Sequence, residues 1–139
     1  GPGLWAPDAR ARLPYQAGGL LKAGFAAGAV TLREVVGARL TDKAPSRDSG
    51  ALVFWALSFG LQKGDTETIR LHAPNGEMLA EAHKTVPGDK AQWLRFTGRR
   101  APEGGWPPGT YQGRYIVTRE TGDARHTVID TRRRFHLEP

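Results

Sequence analysis

The chain has 139 residues, which is the size of one domain and enough to bury a hydrophobic core. It contains 18 Gly and 10 Pro, a composition that favours short strands and turns over long helices. The absence of cysteine excludes disulfides and thiolate metal sites, and no apolar run approaches the roughly 20 residues of a membrane span. The formal net charge of +6 favours anionic partners such as nucleic acid, lipid headgroups or an acidic polymer, although arginines that only solvate the surface give the same excess.

The first 50 residues are predicted to hold a lead-in and the first strands. Gly1–Gly3 has the composition of a tag-cleavage remnant, so we expect the chain to be a piece of a longer protein. A short helical turn is predicted over Ala9–Leu13. Strands are predicted over Leu20–Phe25 and Ala29–Val36, and the polar segment TDKAPSRDSG (41–50) is predicted to be a loop.

From residue 51 onward the pattern is that of a β-sheet protein. The segment ALVFWALSFG (51–60) is apolar at odd and even positions, which is typical of a strand buried on both faces. Ten such residues could also form a buried helix, but the aromatic content and the turn at Gly64-Asp65 favour the strand. TETIRLHAP (66–74) alternates, with Ile69 and Leu71 on one face, and Asn75-Gly76 predicts a hairpin turn. Further strands are predicted over residues 78–84 and 91–99.

The stretch GGWPPGTYQGRYIVTRETGD (104–123) is interpreted as a corner followed by a strand. The two prolines cannot join a strand ladder, and Gly109 permits the chain reversal before the strand begins. Tyr111, Tyr115 and Val117 are predicted to share a face, with Gly113 leaving room between the rings. Trp106 is expected to cover one end of the core like a lid.

Together these elements predict a single all-β domain. The last strand is expected over Ala124–Leu137, after a tight turn at residues 120–123. Seven or so short strands at spacings of about 8–12 residues are typical of an Ig-like β-sandwich. Residues 4–50 are assigned to the lead-in and first strands, and residues 51–139 to the sandwich core.

The histidines and serines do not form a complete catalytic or metal-binding pattern. His126 and Asp130 have the spacing of two zinc ligands in lysostaphin-type peptidases, but the internal glycine of that motif and the later His-x-His pair are missing. On a regular strand the two side chains would also lie roughly 13 Å apart. Ser46, Ser49 and Ser58 lack a Gly-x-Ser-x-Gly elbow. We therefore predict neither catalytic residues nor metal ligands in this chain.

Arginines and tryptophans provide the candidate binding surface. It consists of Arg99, Arg100, Arg132, Arg134, Trp93 and Trp106. The alternative interpretation is that the tryptophans are core or loop-closing residues and that the arginine run protects an edge strand from aggregation. A nucleic-acid groove would require aromatic side chains interleaved with these charges on an exposed sheet, and the aromatic residues here are predicted to lie in the core.

Five segments form one recognisable pattern: GLWAPDARARLPYQAGGLLKAGFAAG, LVFWALSFGLQKGD, LHAPNGEMLAE, KAQWLRFTGRRAPEGGWPPGTYQGRY and RRRFHL. This pattern covers Leu4 to Leu137 and resembles the C-terminal regions that follow the catalytic domain in LytM/lysostaphin-type peptidoglycan metallopeptidases of alphaproteobacteria. The most specific pieces are KAQ before a strand, GRR and GGWPPGTY.

The resemblance implies a non-catalytic accessory module of a periplasmic cell-envelope hydrolase. None of the family's zinc ligands maps onto this chain, so zinc is expected only in an upstream catalytic domain, and no cofactor is expected here. Such a module would hold the hydrolase near the cell wall, block its catalytic groove or bind an envelope protein. The expected partners are peptidoglycan or an envelope protein and the upstream catalytic domain, with neither nucleic acid nor a membrane span. The alternatives are a stand-alone Ig-like structural or adhesive envelope protein and a nucleic-acid-binding domain.

Overall fold

Seven antiparallel strands in two sheets account for most of the structure, a computed structural model that describes residues 18–37, 40 and 43–139. The elements in chain order are β1 (Gly19–Ala26), α1 (Leu32–Val36), β2 (Ala51–Leu61), β3 (Thr66–His72), β4 (Met78–Thr85), β5 (Lys90–Arg100), β6 (Gly109–Thr121) and β7 (Ala124–Leu137). The predicted helical turn over Ala9–Leu13 lies outside the described residues.

The strands form a three-stranded sheet in the order β1-β2-β5 and a four-stranded sheet in the order β4-β3-β6-β7. All neighbouring strands pair antiparallel. The apolar faces of the two sheets pack together in one core. This arrangement confirms the predicted all-β, Ig-like sandwich, in which β4 pairs with β3 rather than with β5.

Strand β2 is buried on both faces, as its doubly apolar sequence predicts. Leu52, Phe54 and Ala56 are fully buried in the core between the sheets. The intervening positions, including Trp55 and Leu57, pack in a second cluster on the other side of the three-stranded sheet. This second cluster is closed by residues that precede β2 in the chain, namely Ala26, Val30 and Val35.

The predicted strand over Ala29–Val36 is wrong, because Leu32–Val36 forms the helix α1. Thr31 begins the helix with a capping box: its hydroxyl accepts from the Glu34 backbone N–H at 3.2 Å, and its own N–H donates to the Glu34 carboxylate at 2.9 Å. These reciprocal bonds satisfy two otherwise free helix-terminal donors. The Thr-x-x-Glu spacing was a readable helix signal, and it outweighs the β-branched composition of the segment.

The connection between β2 and β3 ties the two sheets together. Gly64 has a positive φ of 92°, which confirms the predicted turn at Gly64-Asp65. The buried Asp65 carboxylate receives two hydrogen bonds of 2.8 Å from the Arg119 guanidinium of β6. The Gln62 backbone N–H donates to the same carboxylate at 2.9 Å. The turn is therefore fixed to the four-stranded sheet by a charge-assisted, bidentate contact.

Strand β6 supplies the aromatic side of the core. Tyr111, Tyr115 and Val117 are fully buried on one face, as predicted. Gly113 lies between the tyrosines because a side chain there has no room: a Cβ at this position would lie 2.3 Å from the Phe54 ring. The missing side chain lets the two sheets approach each other at this point.

We predict that Gly113→Ala lowers the free energy of unfolding by about 1–3 kcal/mol, because the added methyl forces the buried Phe54 ring to move. Chemical denaturation monitored by circular dichroism measures this loss. The matched control is Gly28→Ala, where a Cβ would have no atom within 4 Å and the stability should hardly change. Equal stability of the two variants would contradict the close packing of the sheets at Gly113.

Candidate binding sites

The residues predicted as one binding surface lie in separate places. Arg132 and Arg134 are exposed on the outer face of the four-stranded sheet. Arg99 and Trp106 line a pocket at one end of the sandwich. Trp93 belongs to a polar cluster between the sheets. The structure therefore divides the predicted surface into two candidate sites and one interior cluster.

The first candidate site is the arginine face, defined by Arg70, Arg114, Arg132 and Arg134 on the outer side of the four-stranded sheet. Arg70 pairs with Arg114 across β3 and β6, and Arg114 pairs with Arg132 across β6 and β7. Arg134 lies two residues further along β7, opposite Gln112. Three adjacent strands thus place guanidinium groups in one row, with a fourth beside it.

Two carboxylates compensate part of this charge. Glu81 contacts Arg70 at 2.6 Å, and Asp130 receives hydrogen bonds of 2.9 and 3.1 Å from Arg114. The Arg114 guanidinium holds the pKa of Asp130 below its usual value, so this carboxylate stays charged at neutral pH. Like charges directly opposite each other in a sheet are destabilising, which explains why these two partners are present.

Arg132 and Arg134 have no carboxylate within ion-pair distance in the described part of the chain. Their side chains are exposed, and the Arg132 charge helps to lower the pKa of the neighbouring Asp130 without forming an ion pair with it. Exposed guanidinium groups of this kind can bind an external anion. The register confirms that they share a face. It also adds Arg70 and Arg114, which sequence inspection did not include because their position depends on the pairing of β3, β6 and β7.

The second candidate site is the end pocket, a cavity of about 340 Å³ between the β3–β4 hairpin and the β5–β6 connection. Pro74, Leu79 and Pro107 contribute apolar walls. Trp106 and Tyr111 lie beneath the pocket in the core, in an edge-to-face contact with their ring centroids 6.1 Å apart. Polar side chains at the pocket include Asn75, Glu77 and Arg99. Arg100 points to the opposite side of β5 and does not line the pocket.

The GGWPPG corner builds the floor of this pocket. Trp106 is only 2% exposed and belongs to the core beneath the pocket, which agrees with its interpretation as a core or loop-closing residue. Its indole N–H donates to the Ser49 carbonyl at 3.0 Å, and its backbone N–H donates to the Arg47 carbonyl at 3.0 Å. The Arg47 side chain donates back to the Trp106 carbonyl at 3.0 Å. These bonds fix the ring in one orientation.

The adjoining strand start is fixed in the same way. The Tyr111 hydroxyl donates to the Pro107 carbonyl at 2.6 Å, four residues upstream, which is the arrangement of a tyrosine corner in Ig-like sandwiches. Gly109 has a positive φ of 134°, and a Cβ there would lie 2.8 Å from the Pro74 ring. Because the hydroxyl and the indole N–H already have partners and both rings are buried, Trp106 and Tyr111 form a fixed base beneath the pocket.

The interior cluster surrounds Glu67, which is 1% exposed on the core side of β3. The Trp93 indole N–H and the Tyr115 hydroxyl both donate to Glu67 Oε2, the former at 2.9 Å. Arg95 Nε lies 2.6 Å from Glu67 Oε1, but without hydrogen-bond geometry. Trp93 is therefore held by its polar edge inside the sandwich, which agrees with the alternative interpretation of this residue.

Burial raises the pKa of Glu67, against the lowering effect of Tyr115, Arg95 and Trp93. Burial and the Glu67 charge likewise raise the pKa of Tyr115. This cluster was not predicted from the sequence, although Glu67 stands on the same face of β3 as Ile69 and Leu71. The sequence signal for this cluster was a carboxylate in a row of apolar residues on one face of a strand.

His126 and Asp130, which have the sequence spacing of two zinc ligands, do not form a metal-binding pair. Asp130 is bound by Arg114, and His126 stands across from Arg119 in the register. Ser58 is fully buried and contacts the Trp93 carbonyl and the Tyr115 hydroxyl. Within residues 18–37, 40 and 43–139, no three His, Asp or Glu side chains converge in a way that could hold a metal ion.

No protein-family model matches the chain, and no curated protein matches it. None of the helices in the described ranges is long and apolar enough to cross a membrane.

We predict that the stability of the protein relative to Glu67→Gln falls as the pH rises from 4.5. The native state holds the Glu67 proton more tightly than the unfolded chain, so deprotonation above 4.5 costs stability until the pH passes the raised native pKa. The amide of the variant keeps the side-chain volume but does not titrate. Urea denaturation of both proteins at matched pH values measures the difference.

Comparing the two proteins removes the opposite slope that Asp130 and Glu81 contribute, since their lowered pKa values favour folding at higher pH. A stability difference that rises with pH would contradict the prediction. It would mean that the ion pair with Arg95 outweighs the burial of the Glu67 charge.

Proposed function

We propose that this chain is a non-catalytic binding module of a LytM-type peptidoglycan endopeptidase that works in the periplasm. In this role the arginine face binds carboxylates of the cell wall and keeps the attached hydrolase near its substrate. The observation that carries the proposal is the pair of exposed guanidinium groups of Arg132 and Arg134, which have no ion-pair partner among the described residues, beside Arg114 and Arg70. The resemblance of the sequence to accessory regions of these enzymes supplies the choice of parent protein.

The spacing of the arginine face suits a polymer that carries repeated carboxylates. Neighbouring strands lie about 4.8 Å apart, and alternate residues of one strand lie about 6.8 Å apart. Arg132 and Arg134 therefore present two forks at this interval along β7, beside the Arg114 fork that Asp130 already occupies. Guanidinium groups bind carboxylates through two parallel hydrogen bonds, and several such contacts on one chain add avidity.

The reactive side chains support a binding role rather than catalysis. Ser58 is enclosed in the core, and no imidazole is among its hydrogen-bond partners. Asp130 is committed to Arg114. The upstream catalytic domain of the parent enzyme would then supply the zinc and the hydrolysis, with this module as its attachment to the wall.

The composition of the arginine face favours carboxylates over nucleic acid. Proteins that bind single strands combine basic groups with aromatic rings on which the bases stack. The outward positions of β3 and β6 in these rows are Thr68, Arg70, His72, Gln112, Arg114 and Ile116, without an aromatic ring of Phe, Tyr or Trp. The face therefore has the charges of a polyanion site without the stacking platform.

We predict that the purified chain cosediments with isolated peptidoglycan and that Arg132→Gln/Arg134→Gln weakens this binding by at least about tenfold. The loss follows from removing two exposed charge-assisted contacts, each contributing up to about 1 kcal/mol. The matched control is Arg33→Gln/Arg100→Gln, which removes the same charge from the three-stranded sheet and α1. Bound and free protein are quantified after centrifugation over a range of protein concentrations.

Equal loss in both double variants would reduce the interaction to net charge and contradict a specific arginine face. No cosedimentation at all would contradict attachment to the wall. Tight, steeply salt-dependent binding of an oligonucleotide by the unmodified protein, abolished in Arg132→Gln/Arg134→Gln, would instead support the nucleic-acid alternative.

A further inference from the structure

We propose that the end pocket binds the carboxyl terminus of a peptide whose last side chain is apolar. The pocket lies at the end of the core, on a different surface from the arginine face, and the inference does not rest on the proposed attachment to the cell wall. Its volume of about 340 Å³ is near the lower end of the range for small-ligand sites, so it admits one or two residues rather than a long chain.

The floor and one wall of the pocket are formed before any ligand enters. Trp106 is held at its indole, at its backbone N–H and at its carbonyl oxygen, each at 3.0 Å. Tyr111 is held through its hydroxyl, and Pro74 packs against Gly109. A ligand that fills this space therefore meets proline and leucine side chains on a base that is already fixed, which keeps the entropic cost of ordering the site low.

The polar side chains of the pocket indicate which chemistry the ligand carries. Arg99 is exposed and has no carboxylate within ion-pair distance in the described residues, so its guanidinium is available to a ligand carboxylate. Glu77 also lines the pocket, and its carboxylate has no partner in those residues. Its backbone groups are already used in the hairpin turn, with its N–H bound to Asn75 and its carbonyl to the Ala73 N–H.

A peptide terminus satisfies both charged side chains together with the apolar walls. Its carboxylate pairs with Arg99, its last side chain packs on Leu79 and the prolines above Trp106, and its amide N–H donates to Glu77. A simple fatty carboxylate meets only the first two requirements and brings its negative charge near Glu77 without a donor. The pocket chemistry therefore selects a peptide carboxyl terminus over a fatty acid.

The test uses nuclear magnetic resonance of the whole chain with ¹⁵N label, followed through the Trp106 indole signal. The probes are acetyl-Ala-Ala-Leu with a free carboxylate, the same peptide as a carboxyl-terminal amide, and hexanoate. We expect the free-carboxylate peptide to shift the Trp106 indole signal in a saturable way, at least about tenfold more tightly than the amide or hexanoate, because the amide lacks the charged contact and hexanoate lacks the N–H donor.

Arg99→Gln should weaken binding of the free-carboxylate peptide by about tenfold or more, whereas Arg100→Gln, on the opposite face of β5, should bind it like the unmodified protein. The spectrum of each free variant shows whether the fold is retained, and both positions are exposed. Three results would overturn the proposal: no shift of the Trp106 signal at millimolar peptide, equal affinity for the acid and the amide, or equal affinity for the peptide and hexanoate.

Discussion

Burial of β2 on both faces is the constraint on which the rest of the structure depends. Leu52 and Phe54 face the four-stranded sheet, and Trp55 and Leu57 face the other way, so a two-layer sandwich alone would leave one of these rows in water. The segment that contains α1 covers the second row. Burial of a Leu or Phe side chain stabilises a fold by about 1.5–3 kcal/mol. The stability of the protein therefore depends on both coverings of β2, the four-stranded sheet on one face and the segment that contains α1 on the other.

This packing also decides where a ligand can bind. The inner faces of both sheets and the outer side of β2 are committed to apolar contacts or to the enclosed Glu67 cluster. Among the described residues, the arginine face and the end pocket are the candidate sites with charged groups that lack an ion-pair partner. They differ in character, since the first is a cationic sheet surface, whereas the second is concave, largely apolar and bordered by single charges of both signs.

The local sequence pattern was sufficient to predict the structure wherever burial follows the alternation of residues along a strand. It predicted the doubly buried β2, the shared face of Tyr111 and Tyr115, and the common side of Arg132 and Arg134. It failed for α1, where a capping box overrides a β-branched composition. The two candidate sites could be predicted only in part. The neighbours of Arg132 and Arg134 on the arginine face lie on other strands, so their positions depend on the register of the sheet. The pocket forms only because the chain reversal after β5 brings that corner against the β3–β4 hairpin.

The most direct test of this account is native-state hydrogen exchange of the β2 amides. Because β2 pairs on both edges and is covered on both faces, its central amides should exchange only when the whole protein unfolds. If β2 is the centre of the fold, the free energies of exchange of these amides equal the global free energy of unfolding measured by denaturation. Exchange of the central β2 amides through local opening, at free energies well below the global value, would contradict it.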